Sequence, residues 1–319
     1  MKLENLKQLS VLFHPPLTPP QYSQIHDYLR QMGLDPDNLY QELEMSYRYV
    51  QAHQDISYAN AMVSLHSHNF FEILCCRNTC GAEYLVGATR YRLQKGDLVI
   101  VPPGTSHRPL LPEIMEEPYV RDVLWLSPEF IEMLRRMFPD LEFPLFEQGT
   151  LLRTADSSWE YLGEIIRGIV TESEQQNPGW SSIVIGSAIS LVAYLQRAEN
   201  SRDAATVRAE KPDLLEQVLA YVEAHLSARI TLEDIAQHFY VSKSTVTQQF
   251  RKKMGVSFYR CVTQRRLITA KQLIEAKLPM ESVAEKTGFT DYSAFYRAFR
   301  KEYGINPRQY RLMQSENTQ

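Results

Sequence analysis

Residues 231–304 read TLEDIAQHFYVSKSTVTQQFRKKMGVSFYRCVTQRRLITAKQLIEAKLPMESVAEKTGFTDYSAFYRAFRKEYG, and this stretch contains one small helical unit twice. The pair Ile235-Ala236 recurs as Val283-Ala284. At nearly the same offset, Phe250-Arg251-Lys252-x-x-Gly255 recurs as Phe299-Arg300-Lys301-x-x-Gly304. The repetition predicts a tandem duplication within an all-α C-terminal domain.

The first copy has the pattern of a helix-turn-helix. Thr231, followed by two carboxylates, is a good N-cap for a short helix that buries Ile235 and Phe239. After a turn at Tyr240, Ser242 caps a second helix. The helical period leaves a polar and cationic set of this helix and its end on the outer face: Lys243, Ser244, Thr247, Gln248, Arg251 and Lys252.

The second copy repeats this plan. Pro279 begins its first helix, Gly288-Phe289 marks the turn, and Asp291 leads a helix that buries Phe295 and Phe299. The predicted outer face carries Tyr292, Ser293, Tyr296, Arg297, Arg300 and Lys301. Hydroxyl, amide and guanidinium groups of this kind suit base edges and phosphates.

The segment between the copies, residues 256–276, has helical apolar spacing and no internal Gly or Pro. At about 1.5 Å per residue it would span about 30 Å. One turn of B-DNA is about 34 Å. A rigid spacer of this length could present two recognition helices to successive major grooves.

The charge of the chain is divided unequally. Residues 211–319 hold 17 Lys and Arg against 11 Asp and Glu, whereas residues 1–210 hold 17 against 27. The total of −4 therefore hides a C-terminal part of +6 and an N-terminal part of −10. Only the C-terminal part suits a polyanion.

Residues 213–311 resemble the DNA-binding domain of the AraC/XylS transcription regulators. The resemblance is carried by both copies, by Arg266 with Ala270 between them, and by Asn306-Pro307 before Tyr310-Arg311. It implies that seven residues lie nearest the bases: Ser244, Thr247, Gln248, Tyr292, Ser293, Tyr296 and Arg297.

The sequence also indicates in which cellular compartment the protein is expected. An apolar run of eighteen residues is absent, and the N-terminus MKLENLKQLS does not resemble a signal peptide. Four cysteines, Cys75, Cys76, Cys80 and Cys261, do not form a spaced framework, which favours reduced thiols, although a Cys76/Cys80 redox pair stays open. We expect a cytoplasmic protein with no membrane association.

Two N-terminal regions precede the helical part. Residues 1–60 form an aromatic arm, with short helices predicted within 20–32 and 38–52, that either covers the next domain or closes over a ligand. Residues 61–127 contain short alternating runs separated by Gly and Pro, which predicts an antiparallel β-barrel or sandwich. The predicted fold class is therefore α+β.

Within residues 61–127 lie His66-x-His68-x-x-x-Glu72 and Gly96-x5-Pro102-x-Gly104-x-x-His107, which resemble the two halves of the cupin signature. Parity along one strand would place His66, His68 and Glu72 on the inner face. With His107 they form a donor set that suits Zn, Fe, Mn or Ni.

We expect an effector pocket that works without metal, whereas metal-assisted sensing and catalysis stay open. Regulators that share this architecture use the cupin-like domain as a sensor, and the resemblance favours a carbohydrate effector. Strand parity and aromatic character indicate four further residues that could line the effector pocket: Cys76, Tyr84, Tyr91 and Trp125.

Residues 128–199 are predicted to be helical. The run from Ile183 to Leu195 is apolar on nearly every side, so it is the favoured dimer interface, with the stripe around Ile166 as the alternative. Residues 200–211 have no apolar stripe and are the predicted linker to the DNA-binding domain at 212–319.

Together these patterns predict a dimeric, effector-controlled transcription regulator that binds double-stranded DNA and is not an enzyme, with RNA polymerase as a further candidate partner. The alternative is a metal-dependent cupin enzyme fused to a DNA-binding module. Turnover separates the two, because a sensor releases its effector unchanged.

Overall fold

The computed structural model describes residues 45–57, 65–112, 114–142, 146–147, 149–201, 205–207 and 212–316. They divide into two compact units, one within residues 44–216 and one from 217 onward. The predicted arm within 1–44, including its helix at 20–32, lies outside the described residues.

The N-terminal unit is built on nine described strands: β1 (Val50–Ser57), β2 (Phe71–Cys76), β3 (Glu83–Val86), β4 (Thr89–Arg92), β5 (Leu98–Val101), β6 (His107–Leu110), β7 (Tyr119–Leu126), β8 (Thr150–Arg153) and β9 (Ala205–Val207). One sheet has the order β1-β7-β2-β5-β8-β9, and the second has the order β4-β3-β6.

Every strand pairing is antiparallel, as the alternating runs predict. The strands form two sheets, and no strand pairing among the described residues closes them into a barrel. Three strands also lie outside the predicted range of 61–127: β1 lies where a helix was expected within 38–52, β8 lies within the region 128–199 that was predicted to be helical, and β9 lies in the predicted linker. These three strands form by pairing with strands that are distant along the chain. The local periodicity of the sequence does not reveal such pairing.

Three helices cover one face of the larger sheet: α1 (Pro128–Met137), α2 (Tyr161–Gln175) and α3 (Trp180–Glu199). Ile73 and Leu124 of the sheet share a buried apolar cluster with Ile166 of α2 and Leu191 of α3. By length and composition alone α3 could cross a membrane, and a third of its apolar window is buried. Its contribution to this cluster explains its apolar sequence.

The C-terminal unit is helical: α4 (Leu214–Ala224), which begins just before the unit boundary, α5 (Leu232–His238), α6 (Lys243–Gln249), α7 (Phe258–Glu275), α8 (Met280–Lys286), α9 (Tyr292–Tyr303) and α10 (Pro307–Glu316). Between α6 and α7, residues Phe250–Met254 form a π-helical turn, which the sequence did not predict.

Side-chain caps fix where the short helices begin. Thr231 Oγ1 accepts from the Asp234 amide at 3.1 Å and the Asp234 carboxylate accepts from the Thr231 amide at 3.0 Å, which is a capping box. Ser242 caps α6 and Asp291 caps α9, as predicted. The connecting helix α7 is two residues shorter at its start than predicted and spans about 27 Å at 1.5 Å per residue.

Candidate functional sites

The first recognition helix, α6, presents a polar surface. Val246 is buried beneath it, and Phe250 is buried in the turn that follows. Of the predicted contact residues, Thr247 is half-buried and its hydroxyl donates to the Lys243 carbonyl at 2.9 Å. The others are exposed: Lys243, Ser244, Gln248, Arg251 and Lys252.

The second recognition helix, α9, is more cationic. Phe295 and Phe299 are fully buried, so the opposite face is turned to solvent. Tyr292 and Tyr296 are half-buried, with ring centroids 6.2 Å apart. The remaining predicted contacts are exposed: Ser293, Arg297, Arg300 and Lys301.

A conformational requirement is shared by the two turns. Tyr240 and Gly288 both have positive φ, at 55° and 75°. A Cβ on Gly288 would collide with the carbonyl oxygen of Leu226 and lie 2.8 Å from Nη2 of Arg266. Arg266 is itself fixed, because Nε donates to the Leu226 carbonyl at 3.1 Å and Nη2 donates to the Ala228 carbonyl at 2.6 Å.

A buried polar cluster joins the two sheets of the N-terminal unit. Oε2 of Glu72, on β2 of the larger sheet, lies 3.0 Å from Nε2 of His107 on β6 of the smaller sheet. Nε2 of His68 lies 3.6 Å from the same oxygen. His107 is fully buried and the other two are nearly so. The structure therefore brings together three of the four predicted donor residues.

The fourth donor, His66, is close but differently placed. Its ring centroid lies 4.2 Å from that of His107 and 6.2 Å from that of His68. His66 and His68 precede β2, so they do not share its strand parity as predicted. His66 instead pairs with the backbone of His107, with amide-to-carbonyl distances of 3.2 and 2.8 Å.

Hydrogen bonds to the backbone fix the tautomers of two histidines. Nδ1 of His68 lies 2.8 Å from the Phe70 carbonyl, and Nδ1 of His107 lies 2.8 Å from the Thr105 carbonyl. A carbonyl oxygen only accepts, so each Nδ1 carries the proton. Each Nε2 faces Oε2 of Glu72, which accepts from it when the imidazole is also protonated at this nitrogen.

The charge of the cluster follows from burial and proximity. Burial acts to raise the pKa of Glu72, but the neighbouring imidazoles of His107 and His68 offset it and hold the pKa well below its ordinary value. Burial lowers the pKa of His68, which favours its neutral form. The cluster therefore holds an ionised carboxylate next to at least one neutral imidazole.

Two predicted aromatic residues join this cluster. Trp125 Nε1 donates to Glu72 Oε1 at 2.9 Å, and the Tyr84 ring stacks with that of His107 at 6.3 Å. Two other predicted lining residues have structural partners instead. Cys76 Sγ donates to the Asn78 carbonyl at 3.2 Å, and Tyr91 Oη donates to the Gly149 carbonyl at 3.0 Å.

A second polar group, which the sequence patterns did not predict, lies on the same sheet face. Arg121 is buried on β7 and donates to Ser57 Oγ at 3.0 Å and to Asp55 Oδ2 at 2.9 Å. Nearby, Tyr119 has a buried hydroxyl without a hydrogen-bond partner. The parity of Tyr119 and Arg121 with Trp125 along β7 was the signal that could have found them.

The comparisons with known proteins match the C-terminal unit and, in one relative, most of the chain. A helix-turn-helix domain model matches residues 235–313. The regulatory protein PocR of Salmonella typhimurium is 30% identical over 41% of this chain and 44% of its own length. The transcriptional activator RhaS of Salmonella paratyphi B is 24% identical over 77% of this chain and 86% of its own length.

Residues 235–313 therefore carry a helix-turn-helix domain of the AraC type. The C-terminal domain of AraT, a response regulator from Geobacillus stearothermophilus, has a solved structure that is 29% identical over 31% of this chain and 84% of that chain, with a TM-score of 0.31.

The helix-turn-helix match covers residues 235–313, which contain nearly all of the duplicated unit. It does not account for the polar cluster, which lies outside them. The chain covers less than half the length of PocR. The cluster around Glu72 must therefore be interpreted from its own geometry.

Proposed function

We propose that this chain is a sequence-specific DNA-binding transcription regulator controlled by a small molecule recognised between the two sheets of its N-terminal unit. The observation that carries the proposal is the pair of recognition helices, each buried on one side by apolar residues and exposed on the other through polar and cationic side chains. Such surfaces combine base readout with phosphate contacts.

The DNA contacts divide by chemistry. Ser244, Thr247 and Gln248 of α6 are the proposed base-facing residues of the first copy, and Arg297 is the strongest base reader of α9, because a guanidinium can bond guanine at two points. Tyr292, Ser293 and Tyr296 complete that surface. The remaining cations are proposed phosphate contacts: Lys243, Arg251, Lys252, Arg300 and Lys301.

The effector site is proposed at the cluster of His66, His68, Glu72, His107 and the aromatic pair Tyr84 and Trp125. Three of its buried atoms, Nε2 of His68, Oε2 of Glu72 and Nε2 of His107, make no hydrogen bond. Buried polar atoms in this state usually mark a bound water, ion or ligand. Cys76 and Tyr91 are proposed only as neighbouring wall residues.

Dimerisation is proposed through α3. Ile183 is 49% exposed on this helix, and Gly186 and Ser190 are exposed on the same side at helical spacing. Ile185 and Ile189, at the centre of the predicted seam, instead pack partly against the apolar cluster of the unit. Residues around Ile183 are therefore the better candidates for the seam.

The DNA-binding proposal is tested with the full chain and a duplex containing its own promoter region. Binding at 50 mM salt should be saturable and should weaken steeply as salt rises, because each neutralised phosphate releases counterions. Competition with random duplex separates sequence-specific from general binding. Equal affinity for both duplexes would contradict sequence-specific recognition.

The dimer proposal is tested by Ile183→Glu, with Ser181→Glu as a matched charge control on the same helix. Light scattering should give a monomer for the first variant and a dimer for the second. The monomer should bind a two-site operator much more weakly, because linkage raises the effective concentration of the second domain. If the Ile183→Glu protein is still a dimer, the dimer interface lies elsewhere in the chain.

A second candidate function, a cupin-type enzyme joined to a DNA-binding module, is favoured by the same His68–Glu72–His107 arrangement. A screen of sugars, sugar acids and aromatic acids by thermal shift would find effectors, and mass spectrometry of the recovered compound would detect turnover. An unchanged effector supports the regulator, whose proposed location is the cytoplasm and whose proposed further partner is RNA polymerase.

A further inference from the structure

The end of the N-terminal unit is fixed at two places. β9 pairs with β8 of the larger sheet, where Val207 stands opposite Leu151. Further along the chain, Asp213 and Glu216 contact β4 of the smaller sheet. Both residues belong to the N-terminal unit, whereas α4 continues past the unit boundary. The first turn of α4 is therefore attached to the smaller sheet.

This first turn is closed by a capping box. Glu216 Oε2 accepts from the Asp213 amide at 2.9 Å, and Asp213 Oδ1 accepts from the Glu216 amide at 3.0 Å. Each carboxylate uses one oxygen for the cap, so its second oxygen can accept from another donor. A cap alone would leave that second oxygen in water, but Glu216 is buried.

Arg90 on β4 donates to both of these second oxygens. Its backbone amide donates to Glu216 Oε1 at 2.8 Å, and Nη2 of its guanidinium donates to Asp213 Oδ2. β4 lies at the edge of the smaller sheet, so the Glu216 carboxylate gives this amide a partner that no further described strand provides. Nη1 lies 3.2 Å from Glu83 Oε2 on β3, which orients the guanidinium. One residue thus holds both members of the capping box by charge-assisted hydrogen bonds.

The smaller sheet also carries part of the proposed effector site. Tyr84 on β3 stands opposite Tyr91, the neighbour of Arg90 on β4. The Tyr84 ring stacks with that of His107 on β6 at 6.3 Å. β3 is paired with both β4 and β6. A shift of this sheet that accommodates a ligand would therefore move Arg90 and change its contacts with α4.

We propose that Arg90 is a positioning residue that holds the first turn of α4 on the smaller sheet and releases it when the sheet shifts at the effector site. The held state restricts the helices that follow α4, and release gives them orientational freedom. The functional consequence rests on the proposed regulator, whereas the contacts of Arg90 do not depend on DNA binding. The inference goes beyond that proposal by naming residues that connect the effector site with α4.

Hydrogen exchange of the full-length protein, followed by mass spectrometry, measures whether α4 is held. Arg90→Ala should raise exchange in the first turns of α4 at least about tenfold, because a hydrogen bond between charged groups is lost. Arg90→Lys should restore part of the protection. Glu83→Gln is the matched control, since it removes the partner of Arg90 on β3 and leaves both α4 contacts, and its exchange should stay within about twofold of the wild type. Unchanged exchange in folded Arg90→Ala would overturn the proposal.

A second variant separates the attachment from the cap. The double substitution Asp213→Asn with Glu216→Gln keeps side chains that cap a helix but removes both negative charges. Circular dichroism first establishes that each variant is folded. The exchange of α4 in the double variant should match that in Arg90→Ala. Exchange like that of the wild type would show that the cap, and not the contact with Arg90, holds α4.

A double-mutant cycle with the same readout tests whether the sheet acts through Arg90. His107→Gln disturbs the smaller sheet at the effector site and should raise α4 exchange at least about threefold in the wild-type background. In the Arg90→Ala background, where α4 is already released, it should add less than about 1.5-fold. No increase in the wild-type background, or equal increases in both, would overturn this connection.

Operator binding measures the consequence for function. Footprinting of the promoter region first locates the two half-sites. Inserting about five base pairs between them, half a turn of B-DNA, should weaken wild-type binding at least about tenfold and Arg90→Ala binding less than about threefold. Equal losses would show that Arg90 does not restrict the DNA-binding helices. A wild-type protein that binds no promoter DNA would contradict the proposed regulator, and the exchange results would still decide whether Arg90 holds α4.

Discussion

Both helix-turn-helix copies have a residue with left-handed backbone conformation at the same point of their turns. The surroundings of these two residues differ. Tyr240 has a φ of 55° and is 96% exposed. Gly288 has a φ of 75° and lies against the Leu226 carbonyl and Arg266. The motif sets the backbone conformation in both turns, whereas the surrounding chain decides whether a side chain fits.

The copies also differ in the chemistry of their recognition helices. α6 spans Lys243–Gln249 and contains no Arg, whereas α9 spans Tyr292–Tyr303 and carries Arg297 and Arg300. The cations of the first copy are concentrated in the π-helical turn, at Arg251, Lys252 and Lys253. We therefore expect the second copy to contribute more to base recognition. We expect the first copy to contribute more through contacts with the DNA phosphate backbone.

The largest effect is expected from filling the crowded turn. Gly288→Ala should destabilise the C-terminal unit by about 2–4 kcal/mol, because it adds both backbone strain and a steric collision. Tyr240→Gly should change its stability by less than about 1 kcal/mol, since relief of strain is offset by unfolded-state entropy. Urea denaturation of the isolated unit measures both. Similar losses would remove the distinction between the turns.

A smaller effect should separate the two recognition surfaces. Arg297→Ala should cost about 1–3 kcal/mol on operator DNA and relax sequence preference, as expected for a guanine contact. The matched change in the first copy, Gln248→Ala, should cost less. Titrations with operator and random duplexes provide the readout. If Arg297→Ala weakens both duplexes equally, Arg297 is a phosphate contact.

Removing one cap from each copy should have comparable effects of about 1 kcal/mol on stability. Thr231→Ala deletes the hydroxyl of the capping box, and Asp291→Ala deletes the carboxylate that accepts from the Ala294 amide at 2.7 Å. Thr231→Ser retains the hydroxyl and should be nearly neutral. A loss confined to one copy would show that the two caps are not equivalent, and thermal unfolding detects it.

The smallest effect is expected at the cations that continue each recognition helix. Lys252→Ala and Lys301→Ala should each weaken operator and random DNA alike and lower the salt slope by about 1, because one phosphate contact is lost. Fluorescence anisotropy across several salt concentrations measures the slope. A loss specific to the operator would assign that lysine to base recognition.

The polar cluster around Glu72 illustrates which features the sequence predicts and which it does not. The spacing of His66, His68, Glu72 and His107 predicted that these residues meet, and the structure brings three of their ligand atoms together. The contribution of Arg121 was missed because its meaning depends on β1, whose pairing with β7 places Asp55 opposite it. That pairing joins residues more than sixty positions apart.

The sequence by itself determined the duplicated helical units, their caps and the exposed faces of their recognition helices. These features depend on contacts within a few residues, so helical periodicity and capping chemistry report them directly. Tertiary structure alone decided the two-sheet arrangement, the placement of β1, β8 and β9, and the tautomers of His68 and His107. Each of these depends on strand pairing or on a hydrogen bond whose geometry exists only after the chain has folded.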